Sequence, residues 1–288
     1  MRFSVLIVSP PGYIHSECFR EVAETINDGL LHLGHQSQIT TDVHHGTKHI
    51  VLGSNLLAAF PIELPADSIL YNLEQVRDNE LWASSDLVTT MRNFTVWDYT
   101  NDNAEEFKQN GIFVDAIVPI AYFDGLSRIQ KQADQDIDVL FIGSMNERRN
   151  NVLAQMRECG LNAVWLMNTY GADRDRHIAR AKLLLNVHFH KAKILEQVRI
   201  SYYLANQCPV LSEHSSNAET DVDWAQGVFF SEYQYLTKHA LELCRNDQAR
   251  NQLAERGFAF MKQKTIVPAL QRALEVRVAE RQKALELR

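Results

Sequence analysis
The 288-residue chain is poor in cysteine, and its four cysteines, Cys18, Cys159, Cys208 and Cys244, stand far apart. Nothing in their spacing resembles a disulfide framework or a paired zinc site, so they read as free thiols of a reducing compartment. Long apolar runs are missing too. No stretch approaches the roughly 20 apolar residues of a membrane span, and the N-terminal MRFSVLIVSPPGY has too short an apolar core for a signal peptide. A cytoplasmic enzyme is the expectation. Positive charge is also scarce: a net charge of −7 argues against a nucleic-acid surface, although a local basic cleft is still allowed. None of the 12 glycines falls in a Gly-x-Gly-x-x-Gly spacing, which excludes a dinucleotide fingerprint.

What is present describes a globular protein, with 45% apolar and 23% charged residues in a chain long enough for two domains. Arg2 to Ser9 predicts a buried strand and Glu17 to Leu33 the helix after it, with Gly12 in the turn between them and Ser16 as a possible N-cap. Gly34 closes that helix, and Gln38 to Asp42 starts the next strand. This βαβ opening favours a doubly wound parallel sheet. Further strands are expected at His49 to Leu52, Ser68 to Leu73, Leu87 to Met91 and Ala116 to Pro119, with a helix over Ala104 to Gly111. The polar stretch 124–136 reads as an interdomain linker. A second βα unit follows: strand Ile137 to Ile142, turn Gly143-Ser144, and a helix from Arg148 to about Cys159. A strand at Ala163 to Leu166 and a helix over Asp173 to Arg180 continue it. The expected parts are thus a domain over 1–123, the linker, a second domain over 137–267, and a charge-alternating C-terminal helix over 268–288.

The most informative stretch is 182–213, KLLLNVHFHKAKILEQVRISYYLANQCPVLSE. Its apolar run predicts a buried strand that empties into a polar loop with two histidines and two lysines. A helix then opens near Glu196, and Cys208-Pro209 ends it before another strand. A strand end followed by a helix N-terminus is where α/β proteins bind ligands. The ending Leu204-Ala205-Asn206-Gln207-Cys208-Pro209-Val210 resembles the donor-site segment of GT-B glycosyltransferases of the family 1 and 4 type. One branch of those families carries Arg-x-Phe-Glu on the helix. Here Arg199-Ile200-Ser201-Tyr202 keeps the arginine and lacks the glutamate. The pair of glutamates those families use is also missing, Glu196 being the only acid on the helix. A weaker likeness to bacterial glycosyltransferases lies in Val96-Trp97-Asp98-Tyr99-Thr100 through Val118-Pro119-Ile120-Ala121-Tyr122. There an Asp-Tyr-Ser motif precedes a helix and a Pro-x-Gly-Tyr motif follows.

That resemblance implies an α/β chain of two Rossmann-like doubly wound domains facing a cleft, with the donor on the C-terminal domain and the acceptor on the N-terminal one. Sugar transfer needs the leaving diphosphate neutralised, and arginines with helix N-terminal amides can do this without a metal. Gly143 and Ser144, with Arg148 and Arg149 at the start of a helix, are the first candidates; alternatively, those arginines are solvated or pair with Glu147 or Glu158. Glu196, Arg199 and Tyr203 share one helical face, giving Arg199 to phosphate and Glu196 to ribose or sugar hydroxyls, or else a surface ion pair. His188 and His190 alternate across an extended segment, so one faces the site, and His188 is favoured as a donor contact. For the base, Glu74 at the end of an apolar strand ranks first and His15 second. His44-His45 with His49 read as a loop. Asp134-Gln135-Asp136 and Asp221-Val222-Asp223 fall in the linker and in a loop, so no metal and no cofactor beyond the nucleotide-sugar co-substrate are expected. The expected activity is inverting transfer to a glycan, lipid-linked or other cell-envelope hydroxyl in polysaccharide biosynthesis. A sugar-nucleotide epimerase, a binding subunit without catalysis and a DNA-base glycosyltransferase are the alternatives.

Overall fold
The computed structural model describes residues 1–77 and 85–275. They form two compact units, Met1–Phe123 with the chain from Thr265 onward, and Asp124–Lys264. In the first, a six-stranded parallel sheet runs in the order β2-β1-β3-β4-β5-β6, from β1 (Arg2–Ile7), β2 (Gln36–Thr40), β3 (Lys48–Leu52), β4 (Ile69–Asn72), β5 (Thr95–Asp98) and β6 (Ala116–Ile117). Their apolar runs suit a sheet covered on both faces. Helices α1 (Arg20–His32), α2 (Ser85–Arg92) and α3 (Asn101–Gln109) connect the strands.

The segment expected as a strand at Leu87 to Met91 is α2 instead. Leu87 and Met91 are four residues apart and both buried, which is helical spacing, and the Thr90 hydroxyl donates back to the Asp86 carbonyl at 2.8 Å. The missed strand lies just after it, at β5, which starts one residue before the Val96 to Thr100 motif and runs into it. The chain returns to this unit through a parallel bridge between Tyr122 and Thr265, and a helix over 267–275 follows. A Cβ placed on Gly29 of α1 would lie 2.6 Å from both Ile266 and Leu270, so that glycine permits the close packing. The rest of the expected C-terminal helix, 276–288, lies outside the described residues.

The second unit has a five-stranded parallel sheet, order β11-β10-β9-β7-β8, from β7 (Ile137–Ile142), β8 (Ala163–Leu166), β9 (Ala181–Asn186), β10 (Val210–Glu213) and β11 (Val228–Ser231). Helices α4 (Glu147–Glu158), α5 (Gly171–Ala179), α6 (Gln197–Ala205), α7 (Ala218–Trp224), α8 (Leu236–Cys244) and α9 (Asp247–Gln263) surround it. Phe141, Val152, Met156, Leu183, Leu185 and Leu243 belong to one buried cluster between the sheet and the helices α4 and α8. The stretch expected as a linker is part of this unit and is tied to the end of α6. The Asn206 side chain accepts the N–H groups of Arg128 and Ile129, both at 2.9 Å, and the Ser127 hydroxyl donates to the Ala205 carbonyl at 2.7 Å. Asp221-Val222-Asp223, expected in a loop, lies on α7.

Candidate functional site
In each sheet the first strand has the second on one side and the third on the other, so successive connections leave in opposite directions. Ligands of such sheets bind at that switch, outside the carboxyl ends of the strands. In the second unit the switch falls between β7 and β9. β7 empties into Gly143-Ser144, and β9 ends on Asn186 before Val187 and His188.

A compact ionic cluster occupies this place. Glu196, the residue before α6, faces the Arg149 guanidinium at 3.3 Å, His188 Nδ1 at 2.9 Å and the Asn186 amide at 2.9 Å. Burial alone would raise its carboxyl, but the charges of His188, Arg199 and Arg149 hold it down to about 2. His188 is buried, and its Nε2 lies 3.1 Å from the His214 carbonyl. The His188 Nδ1 stands at ion-pair distance from Glu196 without hydrogen-bond alignment, and the neighbouring carboxylates favour the charged ring. Burial opposes that charge, and Glu196, Glu213 and the carbonyl more than offset it, so its pKa is raised. His214 Nδ1 in turn meets Asp221 at 2.9 Å, which gives that aspartate a structural partner.

The two arginines at the start of α4 find acids outside their own helix. Arg148 grips Glu213 with both terminal nitrogens and stacks 4.0 Å over Tyr233, and Lys193 reaches the same carboxylate at 3.0 Å. Arg149 is buried and spends its nitrogens on the Val187 carbonyl, the Ser144 carbonyl and Glu196. Its guanidinium thus holds the β7 and β9 loops together. Arg199 is different: it donates to Asn186 Oδ1 at 3.0 Å and lies over the Phe141 ring. A Cβ on Gly143, whose φ is 150°, would sit 3.1 Å from the Arg199 guanidinium. The Gly143 N–H is taken by the Leu166 carbonyl at 3.0 Å, so this glycine matters for the room it leaves Arg199. Four cationic side chains, Arg148, Arg149, Lys193 and Arg199, thus gather around two carboxylates, Glu196 and Glu213, before His188 is counted. An excess of positive charge in a chain of net −7 suits an anion.

Tyr202, which stands where the resemblance has glutamate, turns to α5. Its hydroxyl donates to Asp175 at 2.9 Å, and the Arg174 guanidinium covers its ring at 4.1 Å. Tyr203 is fully buried. Asn186 and Glu213 belong to the cluster without standing out in the sequence. Their signal is a polar residue closing an otherwise apolar strand, as in LLLN and VLSE.

In the first unit, Glu74 follows β4 and is half-buried, and desolvation raises its carboxyl pKa. The Tyr13 phenol and the Cys18 thiol are raised by burial and further by the charge of Glu74, which places the loop after β1 beside it. His15 packs edge-on to Tyr13 with ring centroids 5.0 Å apart. Beneath Glu74, Asp98 is fully buried and burial raises its carboxyl to about 7, against the pull of donors from Asn72, Thr100, Asn103 and Tyr99. Among the described residues no group of three or more His, Cys, Asp or Glu could hold a metal ion, and no helix is long and apolar enough to cross a membrane.

Two α/β units, each on a parallel sheet with the same switch in strand order, define the GT-B glycosyltransferase fold, and this chain has it. The solved structures similar to it include HepE of Anabaena in complex with UDP and glucose, at 12% identity over 96% of this chain and 98% of that one, TM-score 0.59. AviGT4, a glycosyltransferase involved in avilamycin A biosynthesis, is 12% identical over 96% of each chain, TM-score 0.54. WaaG, a glycosyltransferase involved in lipopolysaccharide biosynthesis, is 12% identical over 96% and 98%, TM-score 0.53. Among curated proteins the chain is similar to uncharacterized proteins of Acanthamoeba polyphaga mimivirus. One is 28% identical over 174 residues and another 23% over 206 residues, or 58% and 69% of this chain. The chain spans only 20% of the length of the former and 66% of the latter. No protein-family model matches it.

Proposed function
We propose that the chain moves a sugar from a nucleotide-sugar donor to an acceptor hydroxyl, with inversion at the anomeric carbon. The observation that carries the reading is the cationic excess at the switch point of the second sheet, which suits an anionic diphosphate. Arg199 would take the diphosphate, because Asn186 occupies only part of its guanidinium fork. Arg148 and Lys193 would add charge from the Glu213 side, so that side chains neutralise the leaving group without a bound metal. Arg149, His188 and Glu196 would fix the frame, with His188 and Glu196 bordering the ligand. In the first unit Glu74 would accept the acceptor hydroxyl's proton, since desolvation moves its carboxyl toward the range of a useful base. His15 would be its alternative. The oxygen then forms the new bond to the anomeric carbon as the bond to the diphosphate breaks and the electron pair leaves with the phosphate. A glycan, lipid-linked or other cell-envelope hydroxyl would be the acceptor class, in keeping with the lipopolysaccharide biosynthesis in which WaaG is involved.

The test is thermal stability of the full chain against UDP, GDP, ADP, dTDP and their sugar esters. Ligand bound to the folded state alone raises the melting temperature by mass action. A rise selective for one base is expected, and Arg199→Ala should weaken that binding about tenfold or more, as for a lost charged hydrogen bond. Binding that Arg199→Ala leaves unchanged would remove Arg199 from the site. Binding without transfer or hydrolysis would favour the binding-subunit alternative, for which the missing second glutamate speaks.

A further inference from the structure
The Asp98-Tyr99-Thr100 motif has no part in the reaction as proposed, yet its aspartate is the centre of a buried polar frame under Glu74. Asn72 Nδ2 donates to Asp98 Oδ2 at 2.7 Å and to the Glu74 carbonyl at 2.9 Å, while its Oδ1 accepts the Glu74 N–H at 3.2 Å. Asn103 Nδ2 donates to both Asp98 oxygens at 3.2 Å and to the Glu74 carbonyl at 2.8 Å, while its Oδ1 accepts the Val76 N–H at 3.1 Å. The Thr100 N–H donates to Asp98 Oδ1 at 2.8 Å. Asn72, Asp98 and Asn103 are all buried. Two side-chain amides thus hold the backbone of residues 74–76, and one carboxylate decides which way both amides point.

We propose that Asp98, acting through Asn72 and Asn103, is the positioning residue for the Glu74 carboxyl. The proposal rests on Glu74 being the base. Its logic is one of donors and acceptors. These hydrogen-bond partners of the Asp98 carboxyl are donors, so they favour its all-acceptor carboxylate against the burial that raises it. An amide at this position must present a nitrogen to some of them. The Thr100 N–H is backbone and cannot turn, which directs the new nitrogen to the Oδ2 place, against Asn72 and Asn103. Those amides then have to flip to offer oxygen, and in flipping they withdraw the acceptors from Glu74 N–H and Val76 N–H. The loop is released although no side chain has changed size. Glu74, freed from its half-buried seat, gains water.

The experiment needs no substrate. The full chain is labelled at glutamate Cδ with carbon-13, the Glu74 signal is assigned with Glu74→Gln, and its titration is followed by NMR in the wild type, in Asp98→Asn and in Asn103→Ala. The wild-type midpoint is expected above the ordinary glutamate value of 4.5. Both variants should bring it down to that value with their circular dichroism spectra retained. Asn103→Ala covers the case in which Asp98→Asn fails to fold. A Glu74 midpoint that stays raised in a folded variant overturns the proposal. The reading of Glu74 as base fails separately, if Glu74→Gln releases sugar from a turned-over nucleotide sugar at the wild-type rate. In that case the frame can still be seen in the titration.

Discussion
Replacing Glu196 with Gln tests the ionic cluster most directly, because the change keeps the side chain's shape and removes its charge. Glu196 is 12% exposed, and its partner Arg149 is 2% exposed and His188 1%, so solvent screens the loss little. Removing one partner of a buried pair typically costs about 3–5 kcal/mol, because the other charge is left without compensation. The depressed Glu196 carboxyl gives a second magnitude. A carboxyl held at about 2 in place of its ordinary 4.5 corresponds to about 3 kcal/mol, at about 1.4 kcal/mol per tenfold in acidity. The two agree in order of magnitude. At about 3 °C per kcal/mol, the melting temperature of this unit should fall by roughly 10 °C at pH 7. The sign with pH follows from a depressed carboxyl: its contribution is complete above 4.5 and is lost as the pH falls towards 2. Wild-type stability, followed by urea unfolding from pH 6 to 2, should therefore drop over that window more steeply than that of Glu196→Gln. His188→Gln should couple to Glu196→Gln by more than about 0.5 kcal/mol in a double-mutant cycle. A variant that melts like the wild type and shows the same acid limb would refute the account of the cluster.

Other consequences are as specific. The raised imidazolium of His188 stabilises the fold fully below 6.5 and less as the pH rises beyond it, so His188→Gln should flatten the alkaline side of the stability profile measured by urea unfolding. Gly29→Ala puts a methyl 2.6 Å from Ile266 and Leu270. Overpacking of this kind costs about 1–3 kcal/mol against about 1 kcal/mol gained in helix propensity. A lower melting temperature is expected, and combining it with Leu270→Ala should cost less than the sum of the two single changes. Tyr202→Phe removes the hydroxyl bond to Asp175 and should cost about 1 kcal/mol in a urea melt. Nucleotide affinity should not change, and a tenfold loss would place Tyr202 at the ligand.

Much of the fold is legible because buried parallel strands are short apolar runs between turn residues. Ile137 to Ile142 and Ala163 to Leu166 stand at their expected bounds. Leu87 to Met91 misleads because its Val-Thr-Thr centre is β-branched while only its two ends are buried. At the site, the sequence singles out His188, Glu196 and Arg199, which lie within one loop and helix. It does not show that Glu196 pairs with Arg149 and His188 in place of Arg199, because those partners come from the start of α4 and from across a loop. The same holds for Asn72, Asp98 and Asn103, whose meeting depends on the register of β4 beside β5.

Helix α6 is held at both ends by different parts of the unit. Glu196 fixes its start to β7 and β9 through Arg149 and Asn186, and Asn206 fixes its end to the chain at 128–129. Because each residue turns a helix by about 100°, deleting one residue between these anchors would swing one of them well away from its partners. Length is therefore as strictly determined here as chemistry. A one-residue insertion or deletion between Glu196 and Asn206 should not survive selection.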